Sequence, residues 1–425
     1  MMSQMAPSNR SDGSLRVALD ARIPAGRWGG IQQVVEGLAY GLSRLDGGDE
    51  YVFLAERGAS AWLAPMIGGG SHIVEVPRGY GRTRVRRAYE AVAERAPAAA
   101  RIARRAASRL TGVSMPIAKS DGFVESIGVD IVHFTTPQAY LTHLPSIYQP
   151  HDLLHRHHPE QFDAIHARYR EDAYRAFSEA ASIVAVMTEW GRADICRVFG
   201  LPAGRIAVVP WAPVAGLRRI SEPSRDLDLP DRFLLYPAQT WPHKNHIRLI
   251  EALAMLRDRG TVVPLVCTGR QTEHMAAIRR RIDALGIGDQ VRFLGYVSAD
   301  DLDAIYRRAT ALVFPSRFEG WGLPVVEAFA FDLPVASSNA TCLPEVAGGG
   351  ALMFDPESTE DMASAISRIW TDERLRSELR SAGRRRVGEL SWERTARIYR
   401  ALYRRVAGRV LTDEDRALLA PPTLP

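Results

Sequence analysis

The chain has 425 residues, too many for one ordinary hydrophobic core, so two domains are expected. Hydrophobic residues make up 46% and charged residues 24%, proportions that exclude disordered and fibrous classes, and no apolar run reaches the ~18 residues of a transmembrane helix. The net charge of +5 is unevenly held: residues 78–119 carry ten arginines and Lys119 against Glu90 and Glu94, a local +9, so the rest of the chain sums to −4. Cys196, Cys267 and Cys342 lie far apart with no metal-ligand spacing, which points to a reducing compartment without structural disulfides. The polar N-terminus lacks the apolar core of a signal peptide, so a cytoplasmic protein is expected.

In chain order, LRVALD (15–20) reads as a buried strand and ARIPAGRWGG as a loop. A helix opens near Ile31, with Ile31, Val34, Val35, Leu38 and Leu42 at helical spacing. Apolar runs recur at 51–55, 72–76, 130–134, 146–149 and 182–187, mostly separated by helical segments. Strands alternating with helices mean βαβ units and a parallel sheet. The pattern stops near Pro210, and residues 213–231, rich in proline and charge, read as a linker. It restarts at FLLYPA (233–238) and continues at 261–267, 291–295, 311–314 and 333–337. A basic last helix, roughly Trp392–Val406, follows a candidate N-cap at Ser391. Two α/β domains are thus expected, at 15–212 and 231–390, followed by a helical segment at 391–408.

The chemistry concentrates in FPSRFEGWGLPVVEAFAFDLPV (314–335), a strand–turn–helix–strand stretch. Gly320 and Gly322 let the backbone turn sharply and approach a ligand, and Pro324 suits the first turn of a helix. The amides of residues 322–325, with the helix dipole, form an anion site suited to phosphate. Glu327, one turn in, can accept hydrogen bonds from a ribose diol, and Glu319 on the loop faces the cleft. Either glutamate alone reads equally well as a solvated or dipole-favouring carboxylate; the glycines and proline between them favour a site. In YPAQTWPHKNHIRLIEAL (236–253), Lys244 at a helix start can supply a point charge to a diphosphate. Alone it would read as a surface lysine. Gly29 and Gly30 precede a helix and suit a phosphate or sugar hydroxyl, but they do not form GxGxxG and carry no dinucleotide fingerprint. His151, His155, His157 and His158 cluster after a strand; their spacing is not that of a helical metal-ligand pair, so no metal site is expected. His151 is expected to point into the cleft and the other three to lie at the surface.

Taken together, SRFEGWGLPVVEAFA resembles the E-x7-E signature of retaining GT-B glycosyltransferases, specifically glycosyltransferase family 4. YPAQTWPHKN looks like that family's phosphate-binding lysine segment, GGI its N-terminal glycine loop, and PHDL its cleft histidine. RIAVVPWAP resembles the strand before the linker, and LPEVAGGGALMFDP and SWERTARIYRALY the C-terminal pattern. The resemblance implies two Rossmann-like domains facing across a cleft, with the last helix crossing back to the first domain. It implies a nucleotide-sugar donor on the C-terminal domain, an acceptor on the N-terminal one, retention of configuration, and no cofactor or required metal. Carried over by position, Glu319 would contact the donor sugar, Glu327 the ribose, and Lys244 the diphosphate, with His243 beside it. Gly320 and the amides of Trp321, Gly322 and Leu323 would help there, His151 would approach the sugar from the other wall, and the segment around Tyr296 would hold the base. Three positions depart from the pattern: Ala238 stands where many members have arginine, Trp211-Ala212 replaces an Asn-Gly, and Asp332 occupies a common glycine position.

The lysine segment most resembles mannosyl- and rhamnosyltransferases of surface-polysaccharide assembly, implying a hexose transferred from GDP-mannose to a glycan or lipid-linked saccharide. The competing expectations are a catalytically silent nucleotide-sugar-binding scaffold, or an epimerase or phosphorylase on the same fold. The basic insert, 82–110, is alanine- and arginine-rich and interrupted by Pro97. It reads either as an amphipathic helix lying on an anionic membrane surface at the inner face or as a solvated helical insert. Nucleic acid is not expected, since stacking aromatics are nearly absent there.

Overall fold

In the computed structural model, which describes residues 13–23, 29–83, 95, 115–214, 217 and 227–420, the alternating runs form two wholly parallel sheets. The first holds β1 (Arg16–Asp20), β2 (Glu50–Glu56), β3 (Ser71–Val76), β4 (Ile131–Phe134), β5 (Ser146–Tyr148), β6 (Ile183–Val186) and β7 (Ile206–Val208). Its order is β3-β2-β1-β4-β5-β6-β7. The second holds β8 (Leu234–Pro237), β9 (Leu265–Thr268), β10 (Val291–Phe293), β11 (Ala311–Phe314), β12 (Val335–Ser338) and β13 (Ala351–Phe354), in the order β10-β9-β8-β11-β12-β13. Central strands such as β4, β9 and β11 are buried at every residue, which is why they read as continuous apolar runs.

The helices that position the site are α1 (Gly29–Leu42), α2 (Ala164–Ala180), α3 (Glu189–Phe199), α4 (His246–Asp258), α5 (Ala299–Arg308), α6 (Leu323–Ala330), α7 (Trp392–Val406) and α8 (Asp413–Leu419). In each sheet the strand order reverses once, between β1 and β4 and between β8 and β11. Ligand crevices in open α/β sheets form at the carboxyl ends of strands flanking such a reversal. Lys244 follows β8 and Glu319 follows β11, so the two are brought to that point from opposite sides.

Helix α7 opens at the expected place, with the Ser391 side chain accepting from the Arg394 amide. It crosses back to the N-terminal domain. Trp392 Nε1 donates to the Pro213 carbonyl at 3.1 Å, Thr395 Oγ1 to Pro210 O at 2.7 Å, and Tyr403 Oη lies 2.7 Å from His133 Nδ1. A Cβ on Gly37 of α1 would sit 1.9 Å from Trp392 Cε2, so this crossing requires glycine there. His133 is fully buried between Tyr403 and Gln149, and burial pushes its pKa down to about 3.

Some elements differ from the sequence reading. Helix α1 begins at Gly29, so Gly29 and Gly30 are its first residues and not a turn before it. β13 and α8 were not anticipated; α8 is a short helix held by a Thr412–Asp415 capping box and by Arg404 on Asp415 at 2.9 Å. Asp332 adopts φ 57°, the left-handed region that a glycine would enter freely, and its carboxylate pairs with Arg384 at 2.5 Å. Leu227 and Leu229 of the linker are buried, whereas 215–226, apart from 217, lie outside the described residues. So does the basic insert, apart from residues 82, 83 and 95. No helix among the described residues is long and apolar enough to cross a membrane.

Candidate active site

The two sheets face each other across a cleft of about 700 Å³. On its C-terminal wall, Lys244 ends a single 3-10 turn (Pro242–Lys244) after β8, and the chain then passes through Asn245 at φ 61° into α4. Asn245 Nδ2 donates to the carbonyls of Pro315 and Pro356, tying this turn to the loops after β11 and β13. Tyr236 Oη donates to the Lys244 carbonyl at 2.6 Å. The backbone is therefore held where the lysine ends its turn, and Nζ reaches Glu319 Oε1 at 2.5 Å. Both side chains are mostly buried.

The Glu319 loop is itself held by Thr341, whose hydroxyl donates to Glu319 O at 3.1 Å, and by the Cys342 thiol. Gly322 caps α6 at φ 103°, and a Cβ there would lie 2.8 Å from Leu343 Cδ2. Of the amides expected at the anion site, that of Val325 is used by Gly322 O at 2.9 Å, and Pro324 has none. This leaves the amides of Gly322 and Leu323, with that of Trp321 just before them, at the mouth of the helix. Glu327, five positions into α6's numbering from its cap, is buried and accepts from Tyr306 Oη at 2.9 Å and from Gln33 Nε2 at 2.8 Å. Burial and the neighbouring carboxylate keep Tyr306 protonated, so it acts as a donor.

The N-terminal wall meets this loop directly. His151 adopts φ 66°, an uncommon conformation for a residue with a side chain, and its Nε2 lies 2.8 Å from Thr135 O. A carbonyl only accepts, so Nε2 carries the ring proton and Nδ1 is the acceptor. Burial holds the ring's pKa below its usual value, so the imidazole is neutral near pH 7. Its ring packs edge-on against Trp211, centroids 5.1 Å apart. Gly320 backs onto this segment so closely that a Cβ would lie 2.4 Å from His151 O. Gly30 of α1 approaches Leu323, its Cβ position 3.4 Å from Cδ1.

Glu319, Gly320, Trp321, Gly322, Leu323, Glu327, Lys244, His243, Tyr296, His151 and Gly30 thus line one cleft, and Gly29 precedes Gly30 in the chain. His243 lies in the cleft beside Lys244; its Nδ1 sits 2.7 Å from Gln161 Oε1 of the opposite domain, and burial and Lys244 push its pKa well down. One expectation needs correction: His155 is buried, not at the surface. The three further histidines each face their own carboxylate, His155 with Glu171, His157 with Asp194 at 2.8 Å and His158 with Glu160 at 3.0 Å. Among the described residues no group of three His, Cys, Asp or Glu lies together as a metal site.

Sequence reasoning missed Gln33, Asp152, Arg170 and Arg270, which also line the cleft. Asp152 adjoins His151 in PHDL but was not singled out, and Gln33, Arg170 and Arg270 carry no local motif, because each reaches the cleft only once the two domains or neighbouring loops are apposed. The walls are clamped by further contacts between domains. Glu345 accepts from the amides of Glu189 and Trp190 at the start of α3, at 2.8 and 3.1 Å, and the Phe318 ring packs on His157 and Trp190.

Two Rossmann-like sheets meeting at their switch points, with a last helix returning to the first domain, define the GT-B class of glycosyltransferases. Solved structures share the fold. One is Anabaena Alr3699/HepE in complex with UDP and glucose, with TM-score 0.64 over 92% of this chain and 99% of that one at 16% identity. Another is WaaG, a glycosyltransferase involved in lipopolysaccharide biosynthesis, with TM-score 0.59 over 89% and 97% at 16% identity. The family model described as Glycosyltransferase Family 4 matches residues 28–212, and that described as Glycosyl transferases group 1 matches residues 218–386. The chain belongs to glycosyltransferase family 4 and is a glycosyltransferase. Its relatives include O-antigen chain mannosyltransferase B of Escherichia coli, 28% identical over 60% of this chain and 71% of that protein. The serotype-specific mannosyltransferase WbdA of Escherichia coli is 31% identical over 54% of this chain, which spans 28% of its length.

Proposed function

We propose that this chain transfers a mannosyl group from GDP-mannose to a glycan or lipid-linked saccharide of a surface polysaccharide, with retention at the anomeric carbon. One observation carries the reading. The Lys244–Glu319 pair sits at the N-terminus of α6, and Glu327 lies on the same helix, so a single wall offers groups for the phosphates, sugar and ribose of one donor. Lys244 and the amides of Trp321, Gly322 and Leu323 would meet the charge that develops on the departing diphosphate, so the reaction needs no metal ion. Glu319 would bind sugar hydroxyls, and Glu327 the ribose in place of Gln33. The sugar–phosphate bond breaks with its electron pair left on the diphosphate. The acceptor oxygen bonds the anomeric carbon on that same face, and its proton passes to the leaving phosphate oxygen. His151 would accept a hydrogen bond from the sugar through Nδ1, and the loop at Tyr296 would hold the base.

The mannosyl and polysaccharide assignment is supported by relatives named O-antigen mannosyltransferases. The basic insert would place the protein at the inner membrane face, an assignment that rests on its composition. A donor panel tests the reading: GDP-, UDP-, dTDP- and ADP-sugars are screened for thermal stabilisation and slow hydrolysis, beside Glu327→Ala and Lys244→Ala. Stabilisation and hydrolysis by GDP-mannose, lost in both variants, is the expected result. If no nucleotide sugar moves the melting curve at millimolar concentration, the chain is better read as a scaffold retaining the fold.

A further inference from the structure

Nearly all the charge lining the cleft is already engaged. Lys244 is neutralised by Glu319 at 2.5 Å. Arg170 lies 4.0 Å from Asp152, donates to Tyr174 Oη at 2.7 Å and stacks over the Phe162 and Tyr174 rings. His243 is uncharged. Arg270 is the remaining cation of the lining, and among the described residues its guanidinium faces no carboxylate. The carboxylates of the lining are Glu319, Glu327 and Asp152; Glu319 faces Lys244, Asp152 faces Arg170, and Glu327 accepts from Tyr306 and Gln33. An incoming diphosphate therefore needs a cation that is not already committed to an acid.

The backbone delivers Arg270 to the right loop. It follows β9, which lies beside β8 in the sheet. Gly269 adopts φ 113°, and a Cβ there would stand 2.7 Å from the Ala238 carbonyl carbon, so the ends of β8 and β9 touch. Beyond them the two loops are tied. Thr240 N donates to Arg270 O at 3.2 Å, Thr272 N to Thr240 Oγ1 at 2.7 Å, and Thr272 Oγ1 to Thr240 O at 2.6 Å. Gly269 N donates to Gly295 O at 2.7 Å, joining the third loop, which carries Tyr296. The Arg270 backbone is thus fixed between the loop leading to Lys244 and the loop bearing Tyr296, and among the described residues its head is not ion-paired.

We propose that Arg270 is a binding residue for the diphosphate of the donor, its guanidinium fork gripping two non-bridging oxygens. This rests on the donor-site reading above. It supplies from β9 the fixed charge that Ala238 cannot supply from β8. A guanidinium in this position would serve any nucleoside diphosphate, because phosphates carry no information about the base.

The test measures binding of GDP, UDP and ADP, and of guanosine, uridine and adenosine, to the full chain and to Arg270→Ala and Arg270→Lys by titration calorimetry. Wild type is expected to bind at least one diphosphate. Arg270→Ala should bind that diphosphate about 10- to 100-fold more weakly, the loss of one charge-assisted contact. Its affinity for the matching nucleoside should not change, and Arg270→Lys should recover part of the loss. Melting curves of the unliganded variants should match wild type, because among the described residues the guanidinium has no ion-pair partner to lose. Unchanged diphosphate affinity in Arg270→Ala overturns the proposal while leaving the donor site standing. An equal loss for the nucleoside also overturns it, since Arg270 would then read the base. If wild type binds none of the three diphosphates, the donor-site reading fails and this inference goes with it.

Discussion

Gly320→Ala is the substitution that most directly tests whether the cleft geometry is the reactive one. The added Cβ would stand 2.4 Å from His151 O and 3.1 Å from Asp152 Cβ, and the first of these is rigid backbone. Ordinary contact begins near 3.4 Å, so the loop bearing Glu319 must retreat from the His151 wall by about 1 Å. A misplacement of about 1 Å in a reacting constellation costs about 10²-fold in rate. In the proposed donor site the nucleotide would rest on Lys244, Glu327, Arg270 and the α6 amides, all on the C-terminal wall, so its binding should change only a few-fold. The assay follows nucleotide release from the donor alongside the calorimetric Kd of the free nucleoside diphosphate. Gly388→Ala serves as the control, because no atom lies within 4 Å of the Cβ it would add. The expected pattern is a kcat reduced by about two orders of magnitude with a nearly unchanged Kd. A Gly320→Ala enzyme that turns over at the wild-type rate would show that the two walls do not cooperate in this closed arrangement, and the assignment of His151 to the sugar would fall.

Three further outcomes follow from the same structure. Lys244→Ala should lower turnover by about 10²–10³-fold, the usual effect of removing one group that stabilises developing charge. Donor hydrolysis at saturating nucleotide sugar checks it, and a loss confined to KM would contradict a role on the leaving group. Gln33→Ala frees Glu327 Oε1 from its 2.8 Å contact, so nucleotide should bind up to about 10-fold more tightly by calorimetry; weaker binding would mean that Gln33 is itself a ligand. Stability should fall with acid. His133 and His246 have folded pKa values lowered by burial to about 3, and His155 to about 4, against an ordinary value of 6.5. Each is neutral in the fold and must charge on unfolding, so its stabilising contribution is intact above pH 6.5 and declines as pH falls below it. At pH 5 the loss is about 2 kcal/mol per histidine. Melting midpoints at about pH 7.5 and pH 5 measure this, and equal midpoints would refute the assignment of neutral buried histidines.

Much of this protein is determined by local sequence. Apolar runs at 130–134, 182–187 and 311–314 read as strands because a parallel sheet covered on both faces needs every residue buried, and burial leaves a mark in composition. Glu319, Gly320, Gly322 and Glu327 were legible because they share one strand–turn–helix unit, where spacing along the chain fixes spacing in space. Ser391 gave the start of α7 for the same reason, since a cap acts three residues away. What tertiary structure alone decided is everything that depends on apposition. Nothing near Gly37 says that Trp392 will lie against it, and nothing near Glu327 says that Gln33, 294 positions away, will donate to it. Lys244 reads as a solvated lysine until Glu319 arrives from another strand, and nothing near His243 says that Gln161 of the other domain will meet its ring. The α8 capping box and the left-handed Asp332 are local but faint, because a favourable context pays for conformations that propensity disfavours. Periodicity encodes which face of an element is buried; it does not encode which partner covers that face, and the cleft is made of partners.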